Sequence, residues 1–271
     1  MTVQLAIARL ARTAQLSTSE ERGLLDACSG PKRFEARREL LREGTRAPAA
    51  FLLLSGIAGR FVGNADGRAQ STAYLLSGDL CGKRALLCLP MDHSVRTLSA
   101  VDAVMIPRDA LDRLAVTYPN IARGFLRLMA IEAAIARQWL LNVGNRDALA
   151  ALAHLFCELF ERLQASGETI ENTCRMPFTQ ADLADALAIT PVHLNRTLMC
   201  LRKSGLVSLR NGRLSILDAA ALRATAKFNP LYLNGSEGAV PQSVLAPDQR
   251  VEDRIGISIR RGDSPSHSVN R

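Results

Sequence analysis

Residues 190–198 read Thr-Pro-Val-His-Leu-Asn-Arg-Thr-Leu and bring together side chains able to read the edges of bases. Arginine bonds guanine through two parallel hydrogen bonds, asparagine does the same to adenine, and valine can meet the methyl group of thymine. Thr190 followed by Pro191 is a helix start, because the hydroxyl caps and the ring presets φ. Leu194 and Leu198 stand four apart and share the inward side, so His193, Asn195, Arg196 and Thr197 cannot all be buried with them. Arg196 is the strongest candidate for base recognition, with Asn195 and Val192 beside it. His193 suits turn packing or a phosphate as well as a base. The plain alternative is an ordinary solvated helix face.

These side chains need a frame, and the flanking residues supply one. Thr179 caps a helix over 180–187, a break falls at Ala188-Ile189-Thr190, and a second helix over 191–203 closes at Ser204-Gly205. Apolar runs at 206–209 and 214–217 flank Arg210-Asn211-Gly212-Arg213, and Asn-Gly between such runs is a strong hairpin signal. Two helices, a tight turn and a hairpin make a winged helix-turn-helix, whose second helix enters the major groove. Thr179 and Gln180 are placed to position a phosphate at the first helix, and Arg210 and Arg213 to touch the backbone from the wing. Residues 175–217 hold six Lys or Arg against two Asp, an excess of +4 that favours a phosphate-facing surface.

Further upstream the pattern changes twice. Residues 34–107 carry short apolar runs broken by glycine (51–54, 59–62, 72–76 and 95–106), as in a small antiparallel β barrel or sandwich. Residues 120–143 then contain no proline, and Ile121, Phe125, Leu128, Ile135 and Trp139 keep a 4,3 stepping with Glu132 in the remaining place. A helix of that length spans about 36 Å, and so long a strip reads as a dimer seam, with a packing helix as the alternative. Glu132 would either meet its copy across a dimer axis or tilt to solvent. Helices are also expected over 17–28, opened by Ser17 with Glu20 or Thr18 with Glu21, over 148–163, and briefly over 218–228.

The string FTQADLADALAITPVHLNRTLMCLRKSGLVSLRNGRLSI resembles the C-terminal DNA-binding domain of the Crp/Fnr superfamily of bacterial transcription regulators. EGTRAPAAFLLLSGIAGRF followed by LLSGDLCG is similar to that family's cyclic-nucleotide-binding-like β-roll. The resemblance covers roughly residues 23–233. It implies an α+β chain with an N-terminal β-roll, a long dimerisation helix and a C-terminal winged helix-turn-helix. It further implies a homodimer on a two-fold symmetric operator in double-stranded DNA, Arg196 at the recognition-helix arginine position, and RNA polymerase as a partner.

The sensor region departs from the family pattern. Members that bind cyclic AMP carry a glutamate shortly after the GD-x-x-G turn and an Arg-Ser pair further on. Here Lys83 stands at the glutamate position and His93 precedes Ser94, so gating by cyclic AMP is not expected. Gly78, Gly82, Lys83, Arg84, His93 and Ser94 remain a candidate pocket for an unknown small-molecule effector, against the alternative of exposed basic residues on a β-roll rim. The oxygen-sensing branch ligates a cluster through grouped N-terminal cysteines, and this chain has only Cys28 there. Cys81 and Cys88 with His93 match no metal spacing, and His154 with Cys157 reads as core packing, so no cofactor or metal is expected.

Two rival classes can be weighed. A phosphate- or nucleotide-handling enzyme would use the Gly78–Lys83 loop, but that loop is one residue short of GxxxxGK[ST] and lacks the hydroxyl after lysine. A protein-gripping use of the same fold is opposed by the local positive charge. The whole chain of 271 residues has 34 Lys and Arg against 26 Asp and Glu, or 34 − 26 = +8, which again points to a polyanion. No apolar run reaches the roughly 20 residues needed to span a bilayer. Arg9 and Arg12 interrupt the apolar start, which reads as a loose N-terminal helix, with a transit peptide as the alternative. Six dispersed cysteines fit a reducing, cytoplasmic setting. The expected division is a helical segment (1–30), a β-roll (31–115), a dimerisation helix (116–147), the winged helix-turn-helix (148–233) and a flexible tail (234–271).

Overall fold

The computed structural model describes residues 1–63 and 69–233. Within them the chain opens with helices α1 (Val3–Ala14) and α2 (Thr18–Ala27). Thr2 caps α1, and Gln15 ends it in the left-handed conformation at φ 57°. Contrary to the loose helix expected, α1 is packed: Ala6, Ile7, Leu10, Ala11 and Ala14 are all buried. At α2 the first of the two capping patterns forms, with Ser17 and Glu20 satisfying each other's backbone N–H.

Eight strands follow: β1 (Lys32–Phe34), β2 (Glu39–Leu41), β3 (Ala49–Ser55), β4 (Ala58–Gly63), β5 (Ala69–Leu75), β6 (Leu80–Cys81), β7 (Ser94–Thr97) and β8 (Val101–Pro107). They form two antiparallel four-stranded sheets, β1-β8-β3-β6 and β2-β7-β4-β5. The run expected at 95–106 is two strands, one in each sheet. Leu98 and Ser99 both donate to the Ile57 carbonyl at that corner, and the chain changes sheet there. Along β3, Ala49, Ala50, Phe51, Leu52, Leu53 and Leu54 are all buried, because α1 also lies against this strand.

The helix α3 (Arg108–Thr117) leads into α4 (Pro119–Gly144), 26 residues and about 39 Å long. Gly124 sits where α4 crosses α1: a Cβ there would lie 2.7 Å from the Ala14 Cβ. Then come α5 (Ala148–Ala165), a short hairpin of β9 (Thr169–Ile170) and β10 (Thr173–Arg175), α6 (Gln180–Ala186), α7 (Pro191–Lys203), the hairpin β11 (Val207–Arg210) and β12 (Arg213–Ile216), and α8 (Ala219–Ala226). A 3-10 turn at Pro230–Tyr232 follows. The second hairpin is joined by the first into one sheet, β11-β12-β10-β9. Two cores result. Leu52, Val104, Ile106, Ile121 and Phe125 belong to one, around the β-roll; Trp139, Leu152, Phe156, Leu194, Leu201 and Leu222 belong to the other.

Among the described residues no helix is long and apolar enough to cross a membrane. The described residues belong to one compact unit. The tail expected over 234–271 lies outside the described residues.

Candidate nucleic-acid interface

Local chemistry builds the helix pair. Thr190 accepts a hydrogen bond from the His193 N–H at 3.2 Å, and Pro191 occupies the first position of α7. Ala188, at φ 53°, turns the chain between α6 and α7. Leu194, Leu198 and Leu201 are buried, as is Thr197, whose hydroxyl donates to the His193 carbonyl at 3.0 Å. Pro191, Val192, His193, Asn195 and Arg196 are exposed together on the opposite side, with Met199 and Cys200 extending the same surface. Among the described residues nothing pairs with the Arg196 guanidinium. Its donors therefore point to water, ready for an acceptor outside the chain.

At the start of α6, Thr179 commits both its hydroxyl proton and its backbone N–H to Asp182, at 2.7 and 2.9 Å. That capping box makes Thr179 a brace for the helix, and Gln180 is the exposed polar side chain there. Asn211 and Gly212 both have positive φ, as a two-residue hairpin turn requires. Arg210 and Arg213 flank that turn as an exposed cross-strand pair. The wing is tied to α7 by Arg202, which donates to the Leu209 carbonyl at 2.7 Å.

The six residues expected around an effector pocket do not converge. Gly78 and Lys83 line a cleft with Arg9, Arg60, Tyr74, Asp79, Glu132 and Arg162. Gly82 backs onto β3, where a Cβ would meet the Ala49 carbonyl at 2.9 Å. Arg84 instead bonds the Pro90 carbonyl and Asp92, His93 bonds Asp92 at 2.6 Å, and Ser94 accepts from the Glu43 N–H. Nor is Lys83 an exposed rim residue. It is buried, and its ammonium donates to the Leu80 carbonyl and to Glu132 at 2.5 Å.

Glu132 also accepts from Arg60 at 3.0 Å, so within the protomer its carboxylate is paired with two cations rather than turned out to solvent. Burial alone would raise its pKa, but Lys83 and Arg60 outweigh burial and hold it below the usual carboxylate range. Desolvation and the Arg60 charge lower His93 and favour its neutral form. This loop is not a phosphate loop either: Gly82 leads into a 3-10 turn rather than the first turn of an α-helix, and its lysine is already paired.

The α4 seam is likewise turned inward. Ile121 and Phe125 are buried in the β-roll core with Leu128 packed partly against it, and Ile135 and Trp139 are buried in the second core. A second stripe faces outward: Leu126, Met129, Ala133, Ala136, Leu140 and Val143, at successive steps of 3, 4, 3, 4 and 3, all exposed except Met129, which is half-buried. Leu126 is 62% exposed and Leu140 68%. The inward stripe fills the chain's own cores, whereas the outward one, with Ala133 and Ala136 at its middle and larger apolar residues at its ends, is spaced as a helix-pairing seam is.

A polar chain buried between the cores was not foreseen. Arg162 bonds Asp79 at 2.6 Å and Glu158 at 3.1 Å. Glu158 also accepts from the Trp139 indole and the Tyr232 hydroxyl. Burial nonetheless raises the Glu158 pKa. Burial also pushes the thiols of Cys81, Cys157 and Cys174 up to about 12, which leaves them protonated and poor nucleophiles.

A β-roll joined through a long helix to a winged helix-turn-helix with a free arginine on its reading face defines a class of two-domain DNA-binding regulators. Residues 31–118 match the cyclic nucleotide-binding domain family, and residues 150–225 match the Crp-like helix-turn-helix domain. The chain is 26% identical over 191 residues to the anaerobic regulatory protein of Pasteurella multocida, covering 70% of each chain. It is 25% identical over 221 residues to the fumarate and nitrate reduction regulatory protein of Vibrio cholerae, covering 82% of this chain and 88% of that one. The solved structure of FixK2 from Bradyrhizobium japonicum has the same fold, with a TM-score of 0.66 at 19% identity over 73% of this chain and 96% of that one. The chain belongs to the Crp/Fnr family and is a DNA-binding transcription regulator.

Proposed function

We propose that two copies of this chain, paired through the outward stripe of α4, bind a two-fold symmetric DNA site in the cytoplasm, with one α7 in each half-site. The unpaired guanidinium of Arg196 on an exposed helix face carries this reading. Arg196 reads a guanine, Asn195 and Val192 contact neighbouring bases, and Gln180, Arg210 and Arg213 hold phosphates. The pairing is supported by a heptad-spaced apolar stripe that the protomer itself leaves uncovered.

The chain acts as a regulator rather than an enzyme, with RNA polymerase as its partner. Cyclic AMP is not its signal, because the position where cyclic-AMP-binding members carry a glutamate holds a lysine already neutralised by Glu132. A different small effector would have to fit the cleft around Arg9, Lys83 and Arg162. Selecting duplexes from a random-sequence pool with the purified protein tests the reading. A palindromic consensus is expected, and Arg196→Ala should lose about 1–3 kcal/mol at one base pair of each half-site while relaxing preference there. An unchanged consensus and affinity in that variant would sink the assignment of Arg196.

A further inference from the structure

The first helix of the pair, α6, is held by the β-roll of its own chain. Arg37 lies in the turn between β1 and β2 and reaches Asp182 with both ends of its guanidinium, at 2.8 and 3.0 Å. The turn presenting it is fixed from beneath. The fully buried Thr97 donates to the Glu35 carbonyl through its hydroxyl and accepts there from the Arg38 N–H, while its carbonyl takes the Arg37 N–H. Arg37 itself is held at φ 62°, an unusual conformation for a residue with a side chain.

Strand β5 provides the second grip. The Tyr74 hydroxyl donates to the Asp182 carbonyl at 2.6 Å, the Ser71 N–H donates to the Asp185 carboxylate at 2.9 Å, and Gln70 donates to the Asp185 carbonyl. The Tyr74 ring is itself wedged between Trp139 of α4 and Phe178, just ahead of α6, at centroid distances of 5.2 and 4.2 Å. Burial would raise the Asp182 pKa, but the bonds from Arg37 and Thr179 prevail and keep it ionised, so the guanidinium keeps its counter-charge.

What this grip controls follows from where α6 leads. On its other side α6 packs against α7, and the reading face of α7 is open while the grip is closed. The contacts therefore leave the DNA-facing surface uncovered and fix the angle at which it is shown. In a symmetric dimer that angle sets the distance between two reading helices, which must match one turn of duplex, about 34–36 Å. We propose that Arg37 and Tyr74 are positioning residues for DNA recognition: from the β-roll they orient α7 and so select the separation of the two half-sites. The inference rests on the dimeric DNA-binding reading and deepens it.

The test uses the full chain and the duplex that it selects from a random pool, in three forms: native spacing, and spacing changed by one base pair either way. Each added or removed pair turns one half-site by about 35°. The wild type should bind the native spacing best and lose affinity sharply at the other two. Arg37→Gln combined with Tyr74→Phe should bind the native spacing about five- to tenfold more weakly, because only a fraction of molecules then present α7 correctly. The same variant should discriminate less among spacings, with an unchanged slope of log affinity against log salt. Arg37→Lys, which keeps the charge, should recover part of the loss.

A wild-type spacing profile in the double variant overturns the inference. So does a salt slope reduced by about one, which would make Arg37 a phosphate contact in its own right. A rise in affinity overturns it too, because the grip would then be a restraint. Should the double variant fail to fold, Arg37→Gln alone is read by the same criteria, its side chain being 50% exposed. If the wild type selects no duplex at all, it is the underlying DNA-binding reading that falls.

Discussion

Truncating Leu140 separates the outward stripe of α4 from the inward one. Leu140→Ala removes three carbons, worth about 0.8 kcal/mol each when buried. The side chain is 68% exposed in the protomer, so about two thirds of that value is gained on pairing, and a symmetric interface counts it twice. The product is about 3 kcal/mol, on the order of 100-fold in the dimer dissociation constant. Sedimentation equilibrium over a concentration series measures this directly, and the thermal midpoint of the protomer should scarcely move.

The control is Ile135, five residues earlier and buried in the chain's own core. Ile135→Ala should cost about 2–5 kcal/mol of folding stability through the cavity it leaves, with little direct effect on pairing. If Leu140→Ala left the dissociation constant unchanged while Ile135→Ala split the dimer without lowering stability, the assignment of the two faces would be reversed.

Two further outcomes follow from buried charges. Glu132 titrates below its reference pKa of 4.5 in the folded chain, so its pairing with Lys83 and Arg60 stabilises the fold above that pH and fades as pH falls below it. Glu132→Gln should lower the thermal midpoint at neutral pH, by leaving the Lys83 ammonium without a counter-charge, and should flatten the acid limb of a stability-against-pH curve. His154 is held neutral by burial and by the nearby Arg146, its pKa lowered from 6.5 to about 3. Because the unfolded chain takes up that proton first, His154 should make stability fall as pH drops below 6.5, and His154→Phe should remove that slope in thermal melts between pH 7 and 5.

How much could be read from the sequence differed by element. The helix pair and wing were legible because their signals are local: a capping threonine, a proline at the first helical position and an Asn-Gly turn act within four residues. Strands β1, β2 and β6, at two or three residues each, carry no such signal and exist through their neighbours in the sheets. The burial of Lys83 depends on Glu132, 49 positions away, and no spacing rule links the two. In α4 two apolar stripes run side by side. Size alone favoured the inward one as the seam, but the large side chains were those needed to fill the protomer's two cores.

The two faces of α4 make its length a constrained quantity. Inserting one residue near its middle would swing everything beyond that point by about 100° and advance it by 1.5 Å. Leu140 and Val143 would leave the line begun by Leu126 and Met129, and Trp139 would be drawn out of its place against Tyr74. An insertion of seven residues returns nearly to the original heading. Relatives that differ in length here should therefore differ in whole heptads, and single-residue insertion should be tolerated far better in the wing hairpin than in this rod.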